Sequence, residues 1–260
     1  MRLKDKAILI TGATAGIGEA CARLFAEEGA KVLMTGRDQA RGDVVLGEIH
    51  AAGGTAEFIT ADLREDGVCD QLVAETKSRF GQIDVLVNNA GILYAAPAAE
   101  TTDEQWSDTF AVNVTAVFQL ARATLREMIA QGGGSIVNIA SESGLNGEPG
   151  LSAYCASKGA VIQMTKCMAL DHIGDNVRVN SVCPGETHTK MIDDWLRSLD
   201  GDIEDNINDL AKVLPIRRLA APKEVAYAAL FLASDESSYC VGTNLSCDGG
   251  NAATGGPYPL

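Results

Sequence analysis

Tyr154 and Lys158 stand four residues apart in the segment Tyr154-Cys155-Ala156-Ser157-Lys158, a spacing that puts a phenol and an ammonium on one face of a helix. A phenol titrates near pKa 10 and is a poor acid or base near neutrality by itself. A neighbouring ammonium favours the phenolate and brings the hydroxyl toward acid–base use. The pair alone is common as a surface accident, so its companions decide. Ser141 follows an apolar run and precedes Tyr154 by thirteen residues. Asn113 lies in a helical stretch ahead of that run, and Asn88-Asn89-Ala90-Gly91 closes an earlier one.

A second constellation sits near the N-terminus. An apolar run over 7–11 leads into Gly12, Gly16 and Gly18. A strand that enters a glycine turn and opens a helix leaves free N–H groups and a positive helix end, a cradle for a pyrophosphate. The spacing G-x-x-x-G-x-G differs from the general G-x-G-x-x-G fingerprint, and close strand–helix packing is the competing account. The next apolar run ends Met34-Thr35-Gly36-Arg37. An acid at such a strand end takes a ribose 2′-hydroxyl. Here the acid is missing, and the Arg37 fork suits a 2′-phosphate. NADP(H) is therefore favoured and NAD(H) remains possible; the alternative is a solvated arginine beside Asp38.

Elements that could position these residues alternate along the chain. Strands are predicted at 7–11, 31–35, 56–60, 83–87, 135–140, 177–182 and 243–246. Helices are predicted at 17–29, 38–52, 66–80, 103–131, 153–173 and 222–234. Nearly continuous Val, Ile and Leu runs fit strands buried on both faces, and the alternation predicts an α/β, doubly wound parallel sheet of about seven strands with helices on both faces. No linker breaks the pattern, so one domain spans 1–260. Residues 1–100 are mainly dinucleotide-binding, 101–250 catalytic and substrate-binding, and 251–260 a tail. The irregular, acid-rich stretch 186–216 is a candidate lid or a solvated acidic helix.

The chain has 260 residues, 46% hydrophobic and 22% charged, with a net charge of −14. That acidity argues against nucleic acid and anionic membranes as partners. Seven cysteines without C-x-x-C spacing read as small buried residues of a reducing cytoplasm. Three scattered histidines offer no metal site. The N-terminus carries no signal-peptide pattern.

Thr11-Gly12, Gly16-Ile17-Gly18, Asn88-Asn89-Ala90-Gly91, Asn113, Ser141, Tyr154, Lys158, Pro184-Gly185 and the closing Asp248-Gly249-Gly250 together resemble the classical short-chain dehydrogenase/reductase family, in its order and roughly its spacing. The resemblance implies a Rossmann-type fold and an NAD(P)-dependent oxidoreductase interconverting a secondary alcohol, or a sugar or polyol hydroxyl, with a carbonyl. Tyr154 would be the acid/base, Ser141 would hold the substrate oxygen, and Lys158 would lower the Tyr154 pKa and bind the nicotinamide ribose. Asn113 would fix a relay water. Gly12, Thr14, Ala15, Gly16, Ile17 and Gly18 would form the pyrophosphate turn. Asp62 and Leu63 would meet the adenine, unless Asp62 only caps a helix. Asn89, Ala90 and Gly91 would back the ribose, and Pro184, Gly185, Thr187 and Thr189 would frame the nicotinamide. A homotetramer, or a dimer, through the helices of 103–131 and 153–173 and the C-terminal segment is also implied.

Substrate walls are expected at 93–96, 142–151 and 186–214. Glu186, Asn146 and Glu148, with His188 and Lys190, suggest a polar, hydroxylated substrate; the competing account has Glu186 in solvent or paired with Lys190. A 3-oxoacyl thioester reductase shares every motif but needs a basic docking patch for its acidic carrier. A non-catalytic dinucleotide-binding regulator has no use for all of Asn113, Ser141, Tyr154 and Lys158.

Overall fold

In the computed structural model, which describes residues 1–254, seven strands form one parallel sheet: β1 (Ala7–Thr11), β2 (Lys31–Gly36), β3 (Thr55–Thr60), β4 (Val85–Asn88), β5 (Gly134–Ile139), β6 (Val177–Pro184) and β7 (Asn244–Cys247). Their order is β3-β2-β1-β4-β5-β6-β7, and every pair is parallel. The helices are α1 (Gly16–Glu27), α2 (Gln39–Ala51), α3 (Val68–Phe80), α4 (Asp103–Phe110), α5 (Ala116–Gln131), α6 (Ser152–His172), α7 (Lys190–Arg197), α8 (Ile203–Val213), α9 (Pro222–Ala233) and the short α10 (Asn251–Thr254).

Alternate residues of each strand feed two cores, which is why the strands read as continuous apolar runs. Ile8 and Ile10 of β1 pack with Phe25 of α1, Ile49 of α2 and Leu230 of α9. Leu9 faces the other way, onto Leu72 of α3, Leu120 of α5 and Met168 of α6. The order reverses between β1 and β4, so a crevice opens there beyond the carboxyl ends of the strands.

Three expectations need correction. The helix predicted over 103–131 is broken by one π-helical turn, Ala111–Thr115. A single wide turn adds one residue without erasing the apolar periodicity, so the pattern alone hides it. The stretch 186–216 contains two helices with different roles: α7 buries Leu196, whereas α8 buries nothing and is the solvated acidic helix. The cysteines are all free, but only Cys21, Cys69 and Cys183 are buried, and Cys167 is exposed. No helix among the described residues is long and apolar enough to cross a membrane. The tail segment 255–260 lies outside the described residues.

Candidate active site

A cleft of about 720 Å³ lies over the carboxyl ends of the strands, running from Arg37, Asp62 and Leu63 past the glycine turn to Ser141, Tyr154 and Lys158, with Glu186 and α7 on the far wall. The two constellations, more than a hundred residues apart in the chain, thus share one cavity.

At the glycine turn, Gly12 and Gly16 hold φ of +63° and +57°, which side chains with a Cβ adopt at a cost of about 1–2 kcal/mol. Thr14, Ala15, Gly16 and Ile17 line the cleft. Ala15 enters α1 in an extended conformation without a side-chain cap, so the first N–H groups of the helix stay available to an anion. Gly18 does something else. It is not part of the cleft wall; a Cβ there would meet the Gly12 oxygen and Asn89 Nδ2, both at 2.3 Å. Its smallness lets α1 sit against the turn. Asn89 locks that packing: its Nδ2 donates to the carbonyls of Thr11 at 2.9 Å and Gly12 at 3.1 Å. Thr11 Oγ1 accepts from the N–H of Asn89 and of Ala90. Gly18→Ala is expected to cost about 2 kcal/mol, seen as a lower urea midpoint with an unchanged slope.

At the outer end, a Cβ on Gly36 would lie 2.7 Å from Thr14 Cγ2, so an acid there would have to displace the Thr14 side chain. Asp38 is not the partner of Arg37: it caps α2 and pairs with Arg41 at 2.6 Å. Arg37 is exposed on the cleft rim with no ion pair among the described residues. Asp62 does not cap the following helix, which starts at Val68 behind Gly67. Instead it accepts from the Arg64 N–H and guanidinium, and that hydrogen bonding, chiefly, holds its carboxyl down at about 2. Arg64 continues to Asp108 at 2.8 Å, which accepts from the Tyr94 hydroxyl at 2.9 Å. This rim network left no trace in the sequence, because its members come from three separate segments.

Tyr154 and Lys158 project from the first turns of α6. Lys158 is 4% exposed. Its Nζ donates to the Ile139 carbonyl at 2.9 Å and stands 5.6 Å from the Tyr154 ring centroid. Burial pulls Lys158 down to about 8. Burial likewise pushes Tyr154 above its ordinary range, with a hydrogen bond to Ser141 opposing and the Glu186 and Glu148 carboxylates adding to the rise. Asn113 lies behind the cleft, in the π-helical turn: its Oδ1 accepts from the Ile92 N–H at 2.9 Å, and its Nδ2 donates to the Ile92 carbonyl and to Ser157 Oγ. Gly91 separates it from the lysine; a Cβ there would be 3.4 Å from Asn113 Oδ1 and 3.5 Å from Lys158 Nζ.

Ser141 starts a short 3-10 turn, Glu142–Gly144, directly after β5. Its hydroxyl donates to Ser143 Oγ at 3.0 Å, and Ser143 donates onward to Glu148. Glu148 thus belongs to the cleft. Asn146 does not: it is exposed outside the wall, its N–H bonded to the Glu142 carbonyl. Glu186 faces the cleft and does not pair with Lys190, which binds Asp194, while His188 pairs with Asp193. Pro184, Gly185, Thr187 and Thr189 line the wall beyond β6, with Thr187 Oγ1 donating to the Gly185 carbonyl at 2.9 Å. Glu142, which nothing in the sequence singled out, is buried at the cleft wall with burial pushing its carboxyl up to about 7. Among the described residues no group of His, Cys, Asp and Glu is arranged to hold a metal ion.

The chain is 38% identical over 256 residues to a meso-2,3-butanediol dehydrogenase of Serratia marcescens, covering 98% of each chain. It is also 38% identical over 251 residues to a 3-oxoacyl-acyl-carrier-protein reductase of Thermotoga maritima, covering 96% of this chain and 99% of that one. The structure superposes with a TM-score of 0.89 on a crystal structure from Beutenbergia cavernae described as a putative NAD(P)-dependent gluconate 5-dehydrogenase with bound NADP, at 36% identity over 96% of this chain and 98% of that one. The family model for short chain dehydrogenases matches residues 6–199, across both the glycine turn and the Tyr154–Lys158 pair, and the chain belongs to that family.

Proposed function

We propose that the chain is an NADP(H)-dependent oxidoreductase that interconverts a secondary alcohol on a polar, hydroxylated molecule with the corresponding carbonyl. The observation that carries this reading is that Ser141, Tyr154 and Lys158 line the same cleft as the glycine turn and the N-terminus of α1. The positive-φ glycines and the uncapped helix end fit a dinucleotide pyrophosphate. Arg37 would take the 2′-phosphate, Asp62 and Leu63 the adenine, Asn89, Ala90 and Gly91 the ribose, and Pro184, Gly185, Thr187 and Thr189 the nicotinamide. When bound, that cofactor supplies or accepts the hydride.

The protein's own part is position and proton transfer. Tyr154 gives a proton to the substrate oxygen in reduction and takes one in oxidation. Ser141, steadied by Ser143 and Glu148, holds that oxygen. The Lys158 ammonium lies close enough to favour a tyrosinate as it forms. Asn113 ties the π-helical turn to the strand-end segment at Ile92 and so fixes the floor behind Lys158.

Glu148 and Glu186 give the substrate end a polar, acceptor-rich wall, which suits a hydroxylated substrate, in keeping with the diol and gluconate named for two relatives. The same acidity disfavours the acidic carrier of the thioester reductase among the relatives. Trp106 and Phe118 on α4 and α5 and Leu170 on α6 are apolar and exposed, which supports self-association through these helices into a dimer or tetramer, and the free cysteines suit the cytoplasm.

Fluorescence titration with NADPH and NADH tests the cofactor assignment. Arg37→Ala is expected to weaken NADPH binding by about tenfold to a hundredfold and to leave NADH nearly unchanged. Equal loss for both cofactors would reject Arg37 as the 2′-phosphate ligand, and binding of neither by the unaltered protein would reject the enzyme reading.

A further inference from the structure

The stretch 248–254 lines no part of the cleft, yet it reaches two of the walls that do. It leaves β7 beside the end of β6. There the Gly185 N–H donates to the Cys247 carbonyl at 3.1 Å, and a Cβ on Gly185 would lie 2.8 Å from Asp248 Cα. It then turns against the connection from α8 to α9: Gly249 holds φ of +63°, and a Cβ on it would meet Ile216 Cγ2 at 2.5 Å. Its other contact is with the serine turn, where Asn251 Nδ2 donates to Glu142 Oε1 at 2.8 Å.

Local bonds fix the shape of this stretch. The two carboxylate oxygens of Asp248 accept from the Gly250 N–H at 3.0 Å and the Ala252 N–H at 2.9 Å. The Asn251 N–H donates to the Asp248 carbonyl at 3.2 Å, and Thr254 Oγ1 donates to the Asn251 carbonyl at 2.9 Å. Side-chain bonds of this kind hold a turn that has no helix ladder of its own, so the Asn251 amide leaves a pinned backbone. The far side of the serine turn is pinned as well. A Cβ on Gly144 would lie 2.7 Å from the Lys158 carbonyl carbon and 2.8 Å from Ile162 Cδ1, so the turn rests directly on α6. We infer that 248–254 is a clamp that sets the serine turn against the end of β6, with Asn251 as the residue that positions Ser141 through Glu142. This rests on the reading of Ser141 as the holder of the substrate oxygen, and adds to it a residue from outside the cleft.

Glu142 gives Asn251 its leverage. The side chain is 3% exposed, Oε1 accepts from Asn251, and Oε2 has no hydrogen-bond partner. Without Asn251 the whole carboxyl group is buried and unpaired, the costly state for a polar group. The relief open to a three-residue turn is to roll Glu142 toward water. Ser141 is the next residue and caps the same turn, so its hydroxyl moves with it. A reacting group displaced by about 1 Å loses about a hundredfold in rate, and a partial roll costs less.

Reduction of hydroxyacetone by NADPH, NADPH titration and backbone hydrogen exchange test the clamp on the full chain. Asn251→Leu keeps the bulk and loses the donor. It is expected to lower kcat about tenfold and to leave NADPH affinity within about twofold, because 248–254 stands outside the cleft. The amides of Gly144, Leu145 and Asn146 donate to the Ser141 and Glu142 carbonyls; they should exchange about tenfold faster, while those of α1 keep their rates. Glu142→Leu should cost a similar factor in kcat. The double variant should lose about tenfold rather than a hundredfold, since both changes break one bond. Losses that multiply, an unchanged kcat, or a fall in NADPH affinity equal to the fall in kcat would overturn the inference. If the unaltered protein does not reduce hydroxyacetone, the alcohol–carbonyl reading fails separately, and exchange still decides the clamp: faster exchange confined to the serine turn upholds it, and unchanged or global exchange overturns it.

Discussion

Tyr154→Phe is expected to lower kcat by about a thousandfold while NADPH still binds. The variant removes one hydroxyl from a half-buried ring and leaves the ring's packing and the Lys158 ammonium beside it in place. Ser141 on the same wall is an aliphatic alcohol, far less acidic than a phenol, and holds the substrate oxygen without giving it a proton. Tyr154 is also pushed up by burial rather than drawn down. Its proton is therefore held firmly, and the hydroxyl serves first as a donor to a carbonyl oxygen. Pre-steady-state reduction and NADPH titration on the same preparation separate chemistry from binding. A variant that keeps even a tenth of the wild-type kcat would show that another group moves the proton.

The second large effect concerns stability. The Glu142 carboxyl is held near 7 by burial, against an ordinary value of 4.5. Between those two pH values an unfolded chain releases the Glu142 proton and the folded chain keeps it. The folded state then binds more protons, so the contribution of this group to stability is full below about 4.5 and is lost as pH rises toward 7. The span converts to about 3 kcal/mol. A glutamine can still accept from Asn251 through its oxygen, and it carries no charge for Asp248 and Glu148 to oppose. Glu142→Gln is therefore expected to match the wild type in urea unfolding at about pH 4.5 and to exceed it by about 2 kcal/mol at about pH 8. Equal stability at the higher pH would mean that the buried carboxylate is already compensated when ionised.

Much of this was legible in the chain itself. Strands buried on both faces announce themselves as Val, Ile and Leu runs, and β1 lies at the predicted residues 7–11. Tyr154 and Lys158 are local neighbours on one helix, so spacing alone joins them. Ser141 and Glu186 stand next to strand ends, and strand ends converge in a parallel sheet. What stayed hidden depends on contacts between distant segments or on the fine turn of the backbone. Glu142 acquires its character from Asn251 and from burial in a turn packed on α6 and β6, neither visible at its own position. Asn146 looked equivalent to Glu148, but the loop after the 3-10 turn carries it outward. Gly18 reads like Gly16 in the motif, yet one packs a helix and the other lines the cleft. The Asp62–Arg64–Asp108–Tyr94 network draws on three segments that no local rule connects.

The π-helical turn at Ala111–Thr115 has a bearing on the gene as well as on the protein. Such a turn takes up one residue more than an ordinary one, so removing one codon within it would relax it to an ordinary helix and leave the faces of α4 and α5 nearly in phase. α5 would keep Leu120 and Met128 in the core, and α4 would keep Trp106 and Asp108 close to their present faces, while the side chains within the turn itself would be re-aimed. Asn113 would leave Ile92. A one-codon deletion near Gly201, between α7 and α8, only shortens an exposed connection. Reading-frame-preserving deletions scanned along this chain should therefore leave the fold standing at 111–115 but cost turnover there through Asn113, and be tolerated on both counts around 199–202.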